Sequence, residues 1–189
     1  MPTDVWGSGL EMPRPGPTSL IDRVDDVNRP VGVVPRADVF RVKANFRTVH
    51  VLVFDHGGCL LLQRLAPTRE RHPCKWGSSV AGYLYAGETY RQAAKRRLAE
   101  ELGLKTPLRE VGVTRMSDEG VTKFVGVFTT VSDHPRIAEP DHIDAIESRP
   151  LAEVEQDIPR HPDAYTDTLR HVLRYWISEG QPGLPQADI

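Results

Sequence analysis

A chain of 189 residues with 39% hydrophobic and 26% charged residues is the size of one domain and can bury a sizeable core. Its formal net charge of −2 leaves no basic footprint for nucleic acid, and no apolar run approaches the roughly 20 residues that cross a bilayer. Cys59 and Cys74 stand at no metal-binding spacing, which suits a reducing cytosol better than a disulfide scaffold; with no basic start leading into an apolar run, the chain reads as cytoplasmic.

Residues 1–18, MPTDVWGSGLEMPRPGPT, carry too much proline and glycine for a regular element and read as a flexible arm that Trp6 can anchor. Residues 19–40 predict two short strands around a turn at 26–30, then a helical or extended stub at 37–40. Two β-rich runs, 47–54 and 59–65, flank Asp55-His56-Gly57-Gly58, which is hairpin chemistry between buried strands. His50 is expected to be packed and hydrogen-bonded, and Arg64 is either a phosphate ligand or an ordinary charged strand end. In the connection 67–75, Arg69, Arg71, His72 and Lys75 together can attract a polyanion, although each singly reads as a solvated loop residue. Trp76 to Ala81 predicts a further strand.

Gly87-Glu88-Thr89 makes a helix start and Gly103 a left-handed helix end, so a helix is expected over 89–102. At roughly 100° per residue, Ala94, Leu98 and Leu102 form its apolar stripe, and Ala93, Arg97, Glu100 and Glu101 an adjoining face. Two carboxylates on one face make a half-shell that magnesium and the oxygens of a diphosphate complete. The plainer alternative is a surface helix on which Arg97 pairs with Glu100 and Glu101. Strands follow at 108–115 and 121–131 across the loop 116–120, then a turn-rich bridge at 132–141, a strand at 142–148, and helices at 151–156 and 163–178. In the last helix Leu169, Val172, Leu173, Trp176 and Ile177 form a stripe docked on a core, and packing is preferred for Trp176 over lining a nucleobase site. Residues 180–189 are expected to fray.

Gly82, Glu88, Arg96, Leu98, Glu100, Glu101, Gly103 and Leu104 stand in the register Gly, five residues, Glu, seven residues, Arg-Glu-apolar-x-Glu-Glu-x-Gly-apolar. This resembles the box of the Nudix hydrolases, with Arg97 where the family has a Glu. The resemblance runs over 19–179, though only the box is specific, and implies an α/β/α sandwich with a mixed sheet, a loop-helix-loop box and an N-terminal β-hairpin extension. The Arg96-Arg97 pair and Trp76-Gly77-Ser78-Ser79-Val80 resemble the isopentenyl diphosphate isomerase branch. Yet that branch's catalytic Cys aligns with Ala81, its metal-binding His with Tyr83, and its later Glu pair with Thr122 and Phe124, which argues against isomerisation.

What the resemblance implies is a Mg2+- or Mn2+-dependent hydrolase of a diphosphate linkage in a nucleoside diphosphate derivative. Glu100 and Glu101 are the expected metal ligands and catalytic carboxylates, a backbone carbonyl near Gly82 a third ligand, and Glu88 either a further ligand or a loop support through Arg96. The base stays open among Glu100, Glu101 and the loop acids Asp118, Glu119, Glu139 and Asp141. Arg36, Arg64, Lys75 and Arg97 are the candidate substrate cations. The partner is a small-molecule diphosphate rather than nucleic acid or membrane, and a homodimer is an open option. Two alternatives stand beside this: a non-hydrolytic phosphate-binding or regulatory module, and a protein that handles isoprenoid diphosphates without isomerising them.

Overall fold

The structure is a computed structural model that describes residues 18–185; the arm expected at 1–18 lies, save its last residue, outside the described residues. Strands β1 (Leu20–Val24) and β2 (Pro30–Pro35) form a separate two-stranded hairpin, followed by one 3-10 turn at Arg36–Asp38. The main sheet contains β3 (Phe46–Phe54), β4 (Cys59–Leu65), β5 (Trp76–Gly77), β6 (Val80–Tyr83), β7 (Arg109–Asp118), β8 (Val121–Val131) and β9 (Ile143–Pro150). Helix α1 (Tyr90–Leu102) follows β6, and α2 (Leu151–Arg160) and α3 (Asp167–Ser178) follow β9.

Alternation along β3 explains the layering. Val49, Val51 and Val53 point to one face of the sheet, where they pack with Ala94, Leu98 and Leu102 of α1. Leu52 and Phe54 point to the other, where they meet Val154 of α2 and Leu169, Val172 and Trp176 of α3. The result is the expected α/β/α sandwich with a mixed sheet, since β3 runs parallel to β8 and antiparallel to β6. The N-terminal hairpin closes a third apolar cluster over Phe46 through Ile21 and Val34.

The β3–β4 turn forms as its glycines suggest, but the two strands share a single register pair, Phe54 with Leu60. Beyond it Ser79 stands between them, its Oγ accepting from Val53 N at 2.8 Å and donating to the Leu61 carbonyl at 2.5 Å. The strand expected over 76–81 is therefore two short ones, β5 and β6, broken at Ser78-Ser79. β4 instead pairs with β9 along its whole length.

Of the tail expected to fray, residues 180–185 are described, and part of it is fastened: the Pro182 carbonyl accepts from Trp176 Nε1 at 3.0 Å and from Thr129 Oγ1 at 3.2 Å. Of the stripe on α3, Leu169, Val172, Leu173 and Trp176 are buried, whereas Ile177 is 38% exposed. Among the described residues no helix is long and apolar enough to cross a membrane. Trp176 is fully buried and stacks on Phe54 at 5.1 Å. Its replacement by alanine is expected to cost about 3–5 kcal/mol in urea unfolding, while Ile177→Ala costs roughly 0.5 kcal/mol or less.

Candidate functional site

Helix α1 begins with a capping box: Thr89 Oγ1 accepts from Gln92 N at 3.2 Å, and Gln92 Oε1 accepts from Thr89 N at 2.9 Å. It ends at Gly103, whose φ of 67° is the left-handed turn that a side chain would strain. With both ends set, its polar face is fixed in azimuth. Arg96 on that face clamps the loop before the helix. It donates to Glu88 through Nε at 2.8 Å and Nη2 at 2.7 Å, and to the Tyr83 carbonyl at 3.0 Å, while lying 4.0 Å over the Tyr85 ring. Glu88 also accepts from Tyr85 N at 2.8 Å, so it braces the loop through Arg96.

Arg97 projects one residue further round, into a nest of acceptors. Its guanidinium donates to Glu100 Oε2 at 2.8 Å, to Glu139 Oε2 at 3.1 Å, to Glu101 Oε1, and through Nε to the Ala81 carbonyl at 3.4 Å. Glu101 is completed from behind by Gln63 Nε2 at 3.1 Å and Ala81 N at 3.4 Å. The side chains of Arg97, Glu101 and Glu139 are 9%, 3% and 6% exposed. Burial opposes the charge on Arg97, and Glu101, Glu139 and Glu100 more than offset it, raising its pKa. Gly82 makes room for this arginine: a Cβ there would sit 2.6 Å from Arg97 Nε and 2.8 Å from its Cγ and Cδ.

Arg97 also borders a cavity of ≈ 170 Å³ that the split between β3 and β4 leaves open. Among the described residues six cations line it, Arg36, Arg69, Arg71, Arg96, Arg97 and Lys123, against one carboxylate, Asp118. Several are pinned in place. Arg36 lies 5.6 Å over Tyr83, which stacks on Phe46, and Arg71 lies 4.4 Å over Phe40. Asp118 holds Arg71 at 2.6 Å and Lys123 at 2.7 Å; burial works against its charge, and those two hydrogen bonds prevail and lower its pKa. Arg69 differs: it is half-buried, burial lowers its pKa, and among the described residues no carboxylate lies within ion-pairing distance of it. His142 also lines the cavity, with Nδ1 3.3 Å from Glu139 Oε2.

The expected site residues thus separate. Arg36 and Arg97 reach the cavity, whereas Arg64 pairs with Asp144 on the exposed side of β4, and Lys75 is not among the lining residues. Glu100 and Glu101 face Arg97 rather than the cavity. Arg69, Arg71, Lys123 and His142 also line it. Lys123 had a legible signal, because it occupies an inward position of β8 in alternation with Val125 and Val127. Arg69 had none beyond its basic loop.

A divalent cation does not fit this arrangement. The oxygens that would hold it, from Glu100, Glu101 and the Ala81 carbonyl beside Gly82, already accept from Arg97, and Glu88 is turned to Arg96. Among the described residues no three His, Cys, Asp or Glu side chains converge as a metal-ligating group.

His50 is buried on the cavity floor with Nδ1 2.9 Å from Ser78 Oγ. Burial, with smaller contributions from Lys123 and His171, lowers its pKa from 6.5 to about 3. The folded state therefore keeps His50 neutral while the unfolded chain protonates it, so the stability it contributes is complete above pH 6.5 and is lost as pH falls toward 3. Urea titrations at successive pH values should show this loss at up to about tenfold in the folding constant per pH unit in the wild type, and its absence in His50→Gln.

A NUDIX domain matches residues 44–172. The chain is 35% identical over 164 residues to a Nocardia farcinica protein named isopentenyl-diphosphate Delta-isomerase, covering 81% of this chain and 91% of that one. It is 34% identical over 149 residues to an uncharacterized Nudix hydrolase of Pseudomonas aeruginosa, covering 77% and 88%. A crystal structure from Deinococcus radiodurans shares the fold with a TM-score of 0.70 at 24% identity, over 83% of this chain and 99% of that one. With its box helix, mixed sheet and flanking helices in that family's arrangement, the chain belongs to the Nudix family.

Proposed function

We propose that this chain binds a nucleoside diphosphate derivative in the cationic cavity and hydrolyses its diphosphate linkage. Arg69 is the observation that carries this reading. A half-buried guanidinium with no carboxylate in ion-pairing contact among the described residues is only distantly offset by Glu101 and Glu139, and an anion entering the cavity supplies a direct partner. Arg36 and Arg71, immobilised on Tyr83 and Phe40, face the same space, so the phosphates meet donors that are already ordered.

Cleavage needs water to attack one phosphorus while the bridging P–O bond breaks toward the other phosphate. The cations bordering the cavity offset the charge that develops on the phosphoryl oxygens. The attacking water must also lose a proton. His142 is the group suited to take it, because it lines the cavity and has the Glu139 carboxylate 3.3 Å from its Nδ1 to offset the charge of an imidazolium. In this scheme Glu100 and Glu101 position Arg97 and touch no substrate.

Isomerisation, the activity in the name of the Nocardia farcinica relative, is not part of this reading. Ala81 borders the cavity where that branch has its Cys, and neither Thr122 nor Phe124 is among the lining residues. A second reading, a module that binds diphosphates without turnover, draws support from the engagement of both box carboxylates with Arg97.

A panel of nucleotide sugars, dinucleotides and prenyl diphosphates, followed by calorimetry and by phosphate and mass detection, tests these readings. Binding with release of a nucleoside monophosphate is expected, and binding without product selects the module. Absence of binding to every member overturns both. Arg69→Ala should weaken binding roughly 10- to 100-fold, the worth of a hydrogen bond to a charged group, whereas Arg64→Ala should leave it unchanged.

A further inference from the structure

We infer that Arg97 is the resident cation of this site, standing where a divalent ion would otherwise join the box carboxylates to a phosphate, so that the protein takes phosphate ligands without a metal. The acceptors around its guanidinium are all oxygens, three carboxylates and the Ala81 carbonyl, the donor type that a hard divalent cation selects. Their gathering is unexplained by the apolar packing of α1, and Arg97 satisfies it.

Three features hold the arginine there. Gly82 leaves the space through which its stem passes. Gln63 and Ala81 N anchor Glu101 from the opposite side, and Glu139 reaches in from the segment before β9. The fourth side of the guanidinium borders the cavity. An incoming divalent ion would meet a fixed positive charge within a few ångströms and would have to displace several charge-assisted hydrogen bonds. A phosphate meets the same charge as an attraction. The inference deepens the cavity reading above and rests on it only for the identity of the anion.

Titrating the apo protein with Mn2+, followed by the paramagnetic resonance of the free ion, tests the cation's identity with no substrate present. The wild type should leave the free-ion signal undiminished at millimolar Mn2+. Arg97→Glu and Arg97→Gln, which expose the carboxylates, should bind one ion at least about tenfold more tightly than the wild type. Pyrophosphate binding to the wild type, measured by calorimetry, should be the same with and without a chelator.

Tight Mn2+ binding by the wild type that Glu101→Gln abolishes would overturn the inference while leaving the cavity reading intact. So would variants that fold but bind no more Mn2+ than the wild type. Should the variants fail to fold, the wild-type titration decides by itself. A wild type that excludes Mn2+ yet binds neither pyrophosphate nor any panel member would instead remove the cavity reading, and with it the claim that Arg97 serves a phosphate.

Discussion

The buried contact between Arg97 and the carboxylates of Glu100, Glu101 and Glu139 is the constraint on which the site depends. Each of these charges would be expensive to bury alone, and breaking such a cluster by removing one partner typically costs about 3–5 kcal/mol. The cluster therefore determines more than its own geometry. It ties the last turns of α1 to the segment before β9, and through Gln63 it reaches the middle of β4. Elements separated by several dozen residues are held in one orientation around the cavity mouth.

The cavity itself arises from a departure in the sheet. β3 and β4 pair only at Phe54 and Leu60 and do not continue as a simple hairpin. Ser79 parts them, with both of its hydrogen bonds going to the strands it separates. The cavity is lined by residues from the first hairpin, the 67–75 connection, β8 and the segment before β9. The aromatic rings matter here less as surfaces for a ligand than as supports: Tyr83, Tyr85 and Phe40 each carry a guanidinium on one face. Ordering these long side chains in advance removes an entropic cost that flexible arginines would otherwise meet on binding.

The Nudix relationship and the positions of the box residues agree with the structure, yet the usual division of labour among those residues does not carry over. Glu88 braces a loop, and the two helix acids serve an arginine. In the reading proposed above, what the family would assign to a bound ion and its ligands is divided between one fixed guanidinium and the cations across the cavity. Fold similarity establishes the frame, and the side chains placed on it decide the chemistry.

Local rules sufficed for much of this molecule. The helix over Tyr90–Leu102 followed from Thr89 and Gly103, strand β4 from its apolar run, and the buried stripe of α3 from its 3.6-residue period, because caps, turns and periodicity are properties of neighbouring residues. The sequence alone also placed Arg97 within reach of Glu100 and Glu101, since they share a helix face. That Glu139 would join them, and that Arg69 and His142 rather than Arg64 would face the cavity, were decided only by the tertiary structure. Those relations depend on long-range strand pairing, which brings together residues whose spacing along the chain carries no trace of the contact.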